Sequence, residues 1–405
     1  MSITLWRGQA EPDLKAWKLP GCAHFPSHLD GPGGQAHIHL MGWRQTASKT
    51  AARAGYAAGQ GLRSAWYTAQ MQAARARAEG FNRPGEPAFE PSRGKPDMAE
   101  LRRAFFELFI QDRANIEAGL YPSPQELGLA RLPGALKAAR AFQQDVKAVD
   151  RRRLSRDGTE LQRTLEEKDN FLHRNANRYP DYYLQNFHYQ TGGWFTDESA
   201  QLYDTQVEAL FSGTADAMRR AALAEIAREL QGRDQRRANL IDVACGNGRF
   251  LETVLGVWPR LNVTGLDLSP SYTEAARARL APWRQVDIIQ EMAEAMPVES
   301  RSFDISVSIF LFHELPPRVR PQVLAEIFRV LKPGGLFVLA DSLQFGDRPA
   351  LDGLLEYFPH GFHEPYYRDY LGWDLDAALT QAGFVKECGR LAFLTKVTTW
   401  RKPQS

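Results

Sequence analysis

The feature that most constrains the fold of this chain is a short apolar run that leads straight into a glycine-rich turn. Residues 240–244 have the composition of a buried strand, and Cys245-Gly-Asn-Gly follows them without a spacer. Two glycines separated by one residue allow a sharp turn and let the backbone approach a ligand without interference from a Cβ atom. Because residues 249–258 then have the pattern of a helix, the sequence predicts a strand, a ligand-binding turn and a helix.

Strand-like and helix-like segments continue to alternate along the rest of the chain. Further strands are expected at residues 262–268 and 304–311, with helices between them. Such alternation is typical of a doubly wound α/β sheet. We expect a mostly parallel sheet of seven strands, in which two final strands, near residues 384–388 and 391–399, form an antiparallel end.

Two acidic residues indicate which ligand the turn binds. Asp267 ends the second strand, roughly 20 residues after the turn, where a carboxylate can accept hydrogen bonds from both ribose hydroxyls of an adenosine. Leu251 occupies the place of the third glycine in the dinucleotide fingerprint. Asp242 would repel a pyrophosphate and can receive an ammonium group, directly or through backbone and water. The pattern favours an S-adenosyl amino acid over NAD.

Further motifs extend this pattern over residues 204–403. Together they resemble those of class I S-adenosylmethionine-dependent methyltransferases, in particular the UbiE-like and other small-molecule enzymes. The motifs are Asp242-Val-Ala-Cys-Gly-Asn-Gly, Gly265-Leu-Asp-Leu-Ser, Ala293-Glu-Ala-Met-Pro, Phe303-Asp-Ile-Ser-Val-Ser and Leu331-Lys-Pro-Gly-Gly-Leu. The resemblance implies a Rossmann-like, seven-stranded α/β fold, here with an N-terminal helical extension, and S-adenosyl-L-methionine as the cofactor.

The resemblance also implies which residues bind the cofactor. The two glycines of the turn would line its methionine part, Asp267 would bind the ribose and Leu268 would pack on the adenine. Met292 stands where many relatives carry an aspartate that contacts the adenine amino group, so other contacts must recognise the base. The predicted cofactor-binding residues are Asp242, Ala244, Gly246, Gly248, Asp267, Leu268, Met292, Ala293 and, from an aromatic lid segment, Tyr189.

A histidine follows the fourth predicted strand. Because ligands of open α/β sheets bind beyond the carboxyl ends of the strands, His313 is expected near the methyl donor. A histidine with a pKa near neutrality could accept the proton of the attacking group, or His313 could serve as a pocket wall; both interpretations stay open. Pro317 stands at the last position of the H-E-x-x-H zinc motif, so no metal site is predicted.

Two aromatic segments, residues 186–195 and 357–367, are expected to close the pocket. Aromatic walls suit a flat or apolar ligand, although the same side chains could instead join the helical layer to the sheet. We expect a small-molecule acceptor, with O- or C-methylation favoured. The predicted substrate-contacting residues are Trp194, Phe312, His363 and Tyr366.

The first 97 residues differ from the rest. Gly, Ala, Arg, Trp and Pro are scattered there without a helix or strand period, which is typical of a segment that cannot bury a core. We expect residues 1–97 to be disordered or foreign to the native protein, and rank a targeting sequence lower. Asp97 and Glu100 have the spacing of a capping box. Residues 98–195 would form a helical accessory or lid region, and residues 196–405 the methyltransferase domain.

Composition argues against several other classes of protein. No stretch has the 18 or more apolar residues of a membrane-spanning helix, and the first residues lack the apolar core of a signal peptide. The three cysteines have no metal-type spacing. We expect a cytoplasmic protein without a membrane span or a nucleic-acid partner. A non-catalytic methyltransferase-like protein remains an alternative function, and an NAD-dependent reductase a weaker one.

Overall fold

The computed structural model describes residues 38–78, 87, 89–124, 132–161 and 179–404. Within them, seven strands form one mixed sheet in the order β3-β2-β1-β4-β5-β7-β6. Strands β1 to β5 pair in parallel, whereas β7 is antiparallel to both β5 and β6. The predicted fold class, including the antiparallel end, is confirmed. The strands are β1 Asn239–Val243, β2 Asn262–Asp267, β3 Val286–Gln290, β4 Phe303–Ile309, β5 Leu331–Ser342, β6 Val385–Ala392 and β7 Thr395–Arg401.

Helices cover both faces of the sheet. Alternate side chains of a strand point to opposite faces, so Leu240 packs with helices α2, α5 and α6, while its neighbour Ile241 packs with α8 and α11. The α-helices are α1 Ile38–Arg77, α2 Met98–Glu117, α3 Leu132–Ser155, α4 Asp197–Leu210, α5 Ala215–Leu230, α6 Arg249–Val257, α7 Pro270–Leu280, α8 Arg320–Val330, α9 Asp352–Gly361, α10 Tyr367–Leu371 and α11 Leu375–Gln381.

Local sequence signals explain several helix boundaries. The Asp97 carboxylate caps α2 by accepting hydrogen bonds from the backbone N–H groups of Ala99 and Glu100. Residues 369–382 have a helical pattern in the sequence, but the structure divides this stretch between α10 and α11, with Gly372 as the residue that ends α10. The aromatic segment around residue 357 is partly helical, since α9 extends through Pro359. Residues 160–174 also have a helical pattern in the sequence, and most of them lie outside the described residues.

The expectation for the N-terminal 97 residues is wrong for residues 38–77, which form the long helix α1. Arg63 is 8% exposed and its guanidinium lies 2.6 Å from Glu208 and 2.9 Å from Asp216. Gly213 lies so close to α1 that a Cβ atom would stand 3.1 Å from the Cα of Ser64. Small residues and buried ion pairs help to hold α1 in place, together with apolar contacts of Tyr67, Met71 and Ala74. The small residues and ion pairs leave no apolar period in the sequence. Residues 1–37 lie outside the described part.

None of the helices in the described ranges is both long and apolar enough to cross a membrane.

Candidate active site

A cavity of about 110 Å³ opens at the carboxyl ends of β1, β2 and β4. We call it the cofactor cavity, because five of the predicted cofactor-binding residues line it. They are Ala244, Gly246, Asp267, Leu268 and Ala293. Aromatic side chains complete the wall: Tyr183, Phe187, Trp194, Tyr203 and Tyr272. The sheet therefore brings motifs that are distant in sequence to one edge, as expected for an open α/β fold.

The glycine-rich turn is held by hydrogen bonds from β2. Ala244 and Gly246 have left-handed backbone angles, with φ of 67° and 55°, and the carbonyl of Leu266 accepts the N–H group of Ala244 at 2.8 Å. One oxygen of Asp267 accepts the N–H of Gly246 at 2.8 Å and the other accepts the N–H of Ser269 at 2.9 Å. These contacts fix the orientation of the Asp267 carboxylate at the cavity.

Asp242 is buried behind this turn and does not line the cavity. Its Oδ1 atom has no hydrogen-bond partner among the described residues. Burial, with the nearby charge of Asp267, raises the pKa of Asp242 to about 8. A buried polar atom without a partner is costly, and an ammonium group would satisfy it. This orphaned oxygen and the positioned Asp267 fit the amino-acid and ribose parts of S-adenosylmethionine.

Three other predicted cofactor contacts lie elsewhere. Met292 is absent from the cavity wall, where its neighbours Glu291 and Ala293 take part. Gly248 is needed for packing, because a Cβ atom there would lie 3.2 Å from Ala276 of α7. Tyr189 lines a second cavity. The position of these three residues within a motif therefore does not determine whether they line the cofactor cavity. The local direction of the backbone determines it.

The second cavity, of about 220 Å³, lies beside the first and is lined mainly by apolar side chains. We call it the acceptor cavity. Its apolar wall comes from four helices that are far apart in sequence, namely α1 (Met71, Ala74), α3 (Phe142, Val146, Val149), α4 (Val207, Leu210) and α9 (Leu354, Leu355, Phe358). The N-terminal helices thus form a large part of this wall, which no motif in the sequence indicates.

The two cavities share three lining residues, Tyr203, Phe310 and Glu314. Phe310 follows β4 and has a left-handed backbone, with φ of 59°, which is uncommon for a bulky residue. Its N–H group donates to the carbonyl of Ala340. This turn directs the chain along the boundary between the cavities, so that a molecule in one can meet a molecule in the other.

His313 lines the acceptor cavity. Its Nδ1 atom lies 2.5 Å from Oδ1 of Asp341. Burial by itself lowers the pKa of His313, but the charges of Asp341, Glu364 and Glu314 outweigh burial and raise it to about 9. The surroundings of His313 therefore favour the protonated imidazole at pH 7, which differs from the near-neutral histidine that would accept a proton.

Other ionisable groups surround His313, and the sequence did not single them out. His188 Nε2 lies 2.5 Å from Oε1 of Glu364, and Glu314 Oε1 lies 3.8 Å from the same His188 atom and 3.9 Å from Nε2 of His313. Glu314 directly follows His313 in the sequence, so its position near the site could have been predicted from that neighbour. His188 and Glu364 lie in the two aromatic segments expected to close the pocket, but only the tertiary fold brings them together.

Of the predicted substrate contacts, Trp194 reaches the cofactor cavity and the other three line neither cavity. Phe312 is fully buried and stacks on Trp373. His363 Nε2 donates a hydrogen bond at 2.8 Å to Oε1 of Gln185, and the Tyr366 hydroxyl accepts one from Nε2 of the same glutamine. These aromatic residues serve the packing role that the sequence left open as the alternative.

Comparison with known proteins identifies the class of this domain. Residues 240–335 match the family model of the methyltransferase domain. An uncharacterized methyltransferase from Synechocystis sp. is 30% identical over 150 residues, 36% of this chain and 66% of the relative. The ubiquinone/menaquinone biosynthesis C-methyltransferase UbiE from Syntrophotalea carbinolica is 30% identical over 159 residues, 39% of this chain and 63% of the relative. The chain thus spans less than two thirds of the length of either relative.

Among solved structures, a SAM-dependent methyltransferase from Aquifex aeolicus covers 44% of this chain and 88% of its own, at 18% identity and a TM-score of 0.34. The sheet order and the glycine-rich turn define a class I methyltransferase fold. With the family match, the resemblance to S-adenosylmethionine-dependent methyltransferases is confirmed, and it is carried by residues 240–335, which match the methyltransferase-domain model.

Proposed function

We propose that the protein transfers a methyl group from S-adenosylmethionine to a small, largely apolar acceptor bound in the acceptor cavity. The observation that supports this most is the pair of adjoining cavities, which share Tyr203, Phe310 and Glu314. One cavity carries the residues of the cofactor motifs and the other has a mainly apolar wall. Two reactants bound side by side gain the rate advantage of proximity and orientation.

The residues present fit the cofactor in two places. Asp267 would accept hydrogen bonds from the ribose hydroxyls, since each of its oxygens retains a lone pair beside its backbone contact. Asp242 would receive the ammonium group, directly or through water, at its unpartnered Oδ1. Bound there, S-adenosylmethionine supplies an electrophilic methyl group. The aromatic side chains of the wall would limit the access of water to the bound cofactor.

The size and chemistry of the acceptor cavity limit the acceptor. Apolar side chains favour a hydrocarbon or aromatic body, and the ionisable cluster of His188, His313, Glu314 and Glu364 is suited to a polar group at its reactive end. This interpretation covers both O- and C-methylation.

The proposal is tested by calorimetry and by transfer of a radiolabelled methyl group. The protein should bind S-adenosylmethionine and S-adenosylhomocysteine but not NAD, and should transfer label from S-adenosylmethionine into an organic-soluble product when 1-naphthol, an apolar molecule with one hydroxyl, is supplied. Binding without transfer to any member of a panel of apolar alcohols, phenols and carbon acids would favour a non-catalytic methyltransferase-like protein. Binding of NAD alone would favour the reductase.

A further inference from the structure

Glu314 stands at the boundary between the two cavities. Among the described residues, it is the carboxylate that lines both of them. Its side chain is 19% exposed, and no hydrogen bond to its carboxylate is formed by the described residues. A carboxylate in this position can be reached from the acceptor cavity and also faces the cofactor cavity.

Two imidazoles face the same oxygen of Glu314 without forming a hydrogen bond to it. The Nε2 atoms of His188 and His313 lie 3.8 and 3.9 Å from Oε1, which exceeds the length of a hydrogen bond. Each imidazole has a closer carboxylate of its own, Glu364 for His188 and Asp341 for His313, both at 2.5 Å. Each histidine thus has a carboxylate of its own that raises the pKa of its imidazole, and Glu314 keeps its lone pairs for another proton.

The backbone around this cluster is unusual in three places. His188 and Tyr189 are consecutive residues with left-handed angles, φ of 55° and 56°, and Phe310 has φ of 59°. Such angles are unfavourable for residues with a Cβ atom, and they occur preferentially at functional sites. Here they direct His188 toward Glu364 and carry the chain from β4 to Glu314. The cluster is therefore held in place by two separate segments of unfavourable backbone.

We propose that Glu314 is the general base of the methyl transfer, and that His188 and His313 are positioning residues that hold it between the two cavities. This inference rests on the proposed function and extends it to a class of acceptor, one whose attacking atom bears a proton. The cofactor supplies the methyl group: the acceptor's lone pair forms the new bond to carbon as the carbon–sulfur bond breaks with both electrons staying on sulfur. Glu314 Oε1 takes the proton that the acceptor loses, so the charge of the carboxylate is neutralised.

The electrostatics of the cluster agree with this role. Burial and the charges of Glu364 and Asp341 raise the pKa of Glu314, the two histidines lower it, and the result is about 7. A base is most effective when its pKa lies near the working pH. The charged or ionisable groups facing Glu314 from the elements packed around it are His188, Tyr183, Tyr203, Tyr272, His313, Asp341 and Glu364.

The sign of the pH dependence follows from these groups. Below pH 7 Glu314 carries a proton and cannot accept another, so the rate should rise as the pH increases through about 7. His313 remains protonated up to about pH 9, so the arrangement of charges persists over the working range. His313→Asn removes a cation beside Glu314. The pKa of Glu314 should therefore rise, and the midpoint of the pH–rate profile should move to higher pH by about one unit. A loss of packing alone would not produce this shift.

The decisive experiment compares S-adenosylmethionine with S-adenosylhomocysteine, because these ligands share the ammonium and ribose and differ in the charge on sulfur. In the wild-type protein the affinity ratio of the two should rise about fivefold from pH 6 to pH 8, as Glu314 becomes an anion near the sulfonium. In Glu314→Gln the ratio should not change with pH. The matched control is Glu274→Gln, which removes the same charge from an exposed position on α7 and should retain the wild-type ratio.

Turnover gives a second readout. With 1-naphthol as the acceptor, Glu314→Gln should lower the rate about 100-fold or more, whereas Glu314→Asp, which keeps the carboxylate, should lose about tenfold. A Glu314→Gln protein that keeps the pH-dependent affinity ratio, or that turns over within threefold of wild type, would overturn the assignment. If that variant does not fold, as shown by its melting curve, a Glu314→Asp protein whose ratio no longer rises with pH would overturn it.

Failure of the broader proposal is separable from these outcomes. It would appear in the wild-type protein, as absence of cofactor binding or of transfer to every acceptor in the panel. Failure of the Glu314 assignment would appear with cofactor binding intact, either as a wild-type affinity ratio that does not rise with pH or as a Glu314→Gln protein that behaves like the wild type. If 1-naphthol is not an acceptor, the affinity ratio alone decides the assignment, because it requires no turnover.

Discussion

The two cavities are built in different ways. The cofactor cavity is formed largely by residues at or just beyond strand ends, such as Ala244 and Asp267, together with aromatic side chains. The acceptor cavity takes its apolar wall from α1, α3, α4 and α9, which also supply charged residues, and its His–Glu cluster from three segments outside these helices. Strand order alone brings the cofactor residues together, whereas the acceptor cavity exists only when distant helices pack correctly. Substitutions that loosen helix packing should therefore affect the acceptor cavity before the cofactor cavity.

The largest expected effect is on stability and comes from α1. Arg63→Ala leaves the buried Glu208 without its closest cation, and removing one partner of a buried ion pair costs about 3 kcal/mol. The free energy of unfolding, measured with denaturant, should fall by that amount. Arg53→Ala on the same helix breaks an exposed pair with Glu117 and should cost less than about 0.5 kcal/mol. Equal, small effects for both variants would show that α1 is not part of the stable core.

The next effect concerns the cofactor cavity alone. Asp267→Ala should weaken S-adenosylmethionine binding by about 1.5–3 kcal/mol, the loss expected when charge-assisted hydrogen bonds are removed. Asp287→Ala, at an exposed position on the edge strand β3, is the matched control and should bind as wild type does. Calorimetry measures both. Unchanged affinity in Asp267→Ala would contradict the assignment of the ribose contact.

Asp242 should couple cofactor binding to pH. Its pKa of about 8 means that the carboxyl is protonated at pH 6.5 in the free protein, while pairing with an ammonium group requires the anion. Binding should then release about one proton, and affinity should increase up to about tenfold per pH unit below pH 8. Titration calorimetry in two buffers with different ionisation enthalpies measures the released proton. With S-adenosylhomocysteine as the ligand, which lacks the sulfonium charge that acts on Glu314, Asp242→Asn should abolish the release, and a wild-type protein that releases none would refute the pairing.

The smallest expected effect tests whether the two cavities bind their ligands independently. Ala74 of α1 lines the acceptor cavity, and Ala74→Phe places a ring in space that the acceptor would use. The Michaelis constant for 1-naphthol should rise about fivefold, because a filled pocket binds its ligand less well, while the affinity for S-adenosylmethionine stays within twofold. A change in cofactor affinity as large as the change in the Michaelis constant would show that the cavities are not independent.

Several features could be predicted from the sequence because their cause is local. The strand, turn and helix around Gly246 require positive backbone angles that glycine readily adopts, and Asp267 lies at the end of the next strand. Helix capping by Asp97 is also decided within a few residues. Met292 and Gly248 show the limit of such motifs, since position in a motif does not determine whether a residue faces the ligand or the packed interior.

The other features of the fold and the site depend on tertiary structure. Helix α1 is held in part by small residues and by ion pairs to Glu208 and Asp216, which come together only after folding and leave no apolar pattern in the sequence. The state of His313 depends on Asp341, a residue of another strand, and on Glu364 in a distant loop. Sequence by itself determined the fold class and the cofactor edge, where neighbours along the chain act together. The acceptor cavity and its charges depend on side chains far apart in sequence, whose burial and distances exist only in the folded molecule.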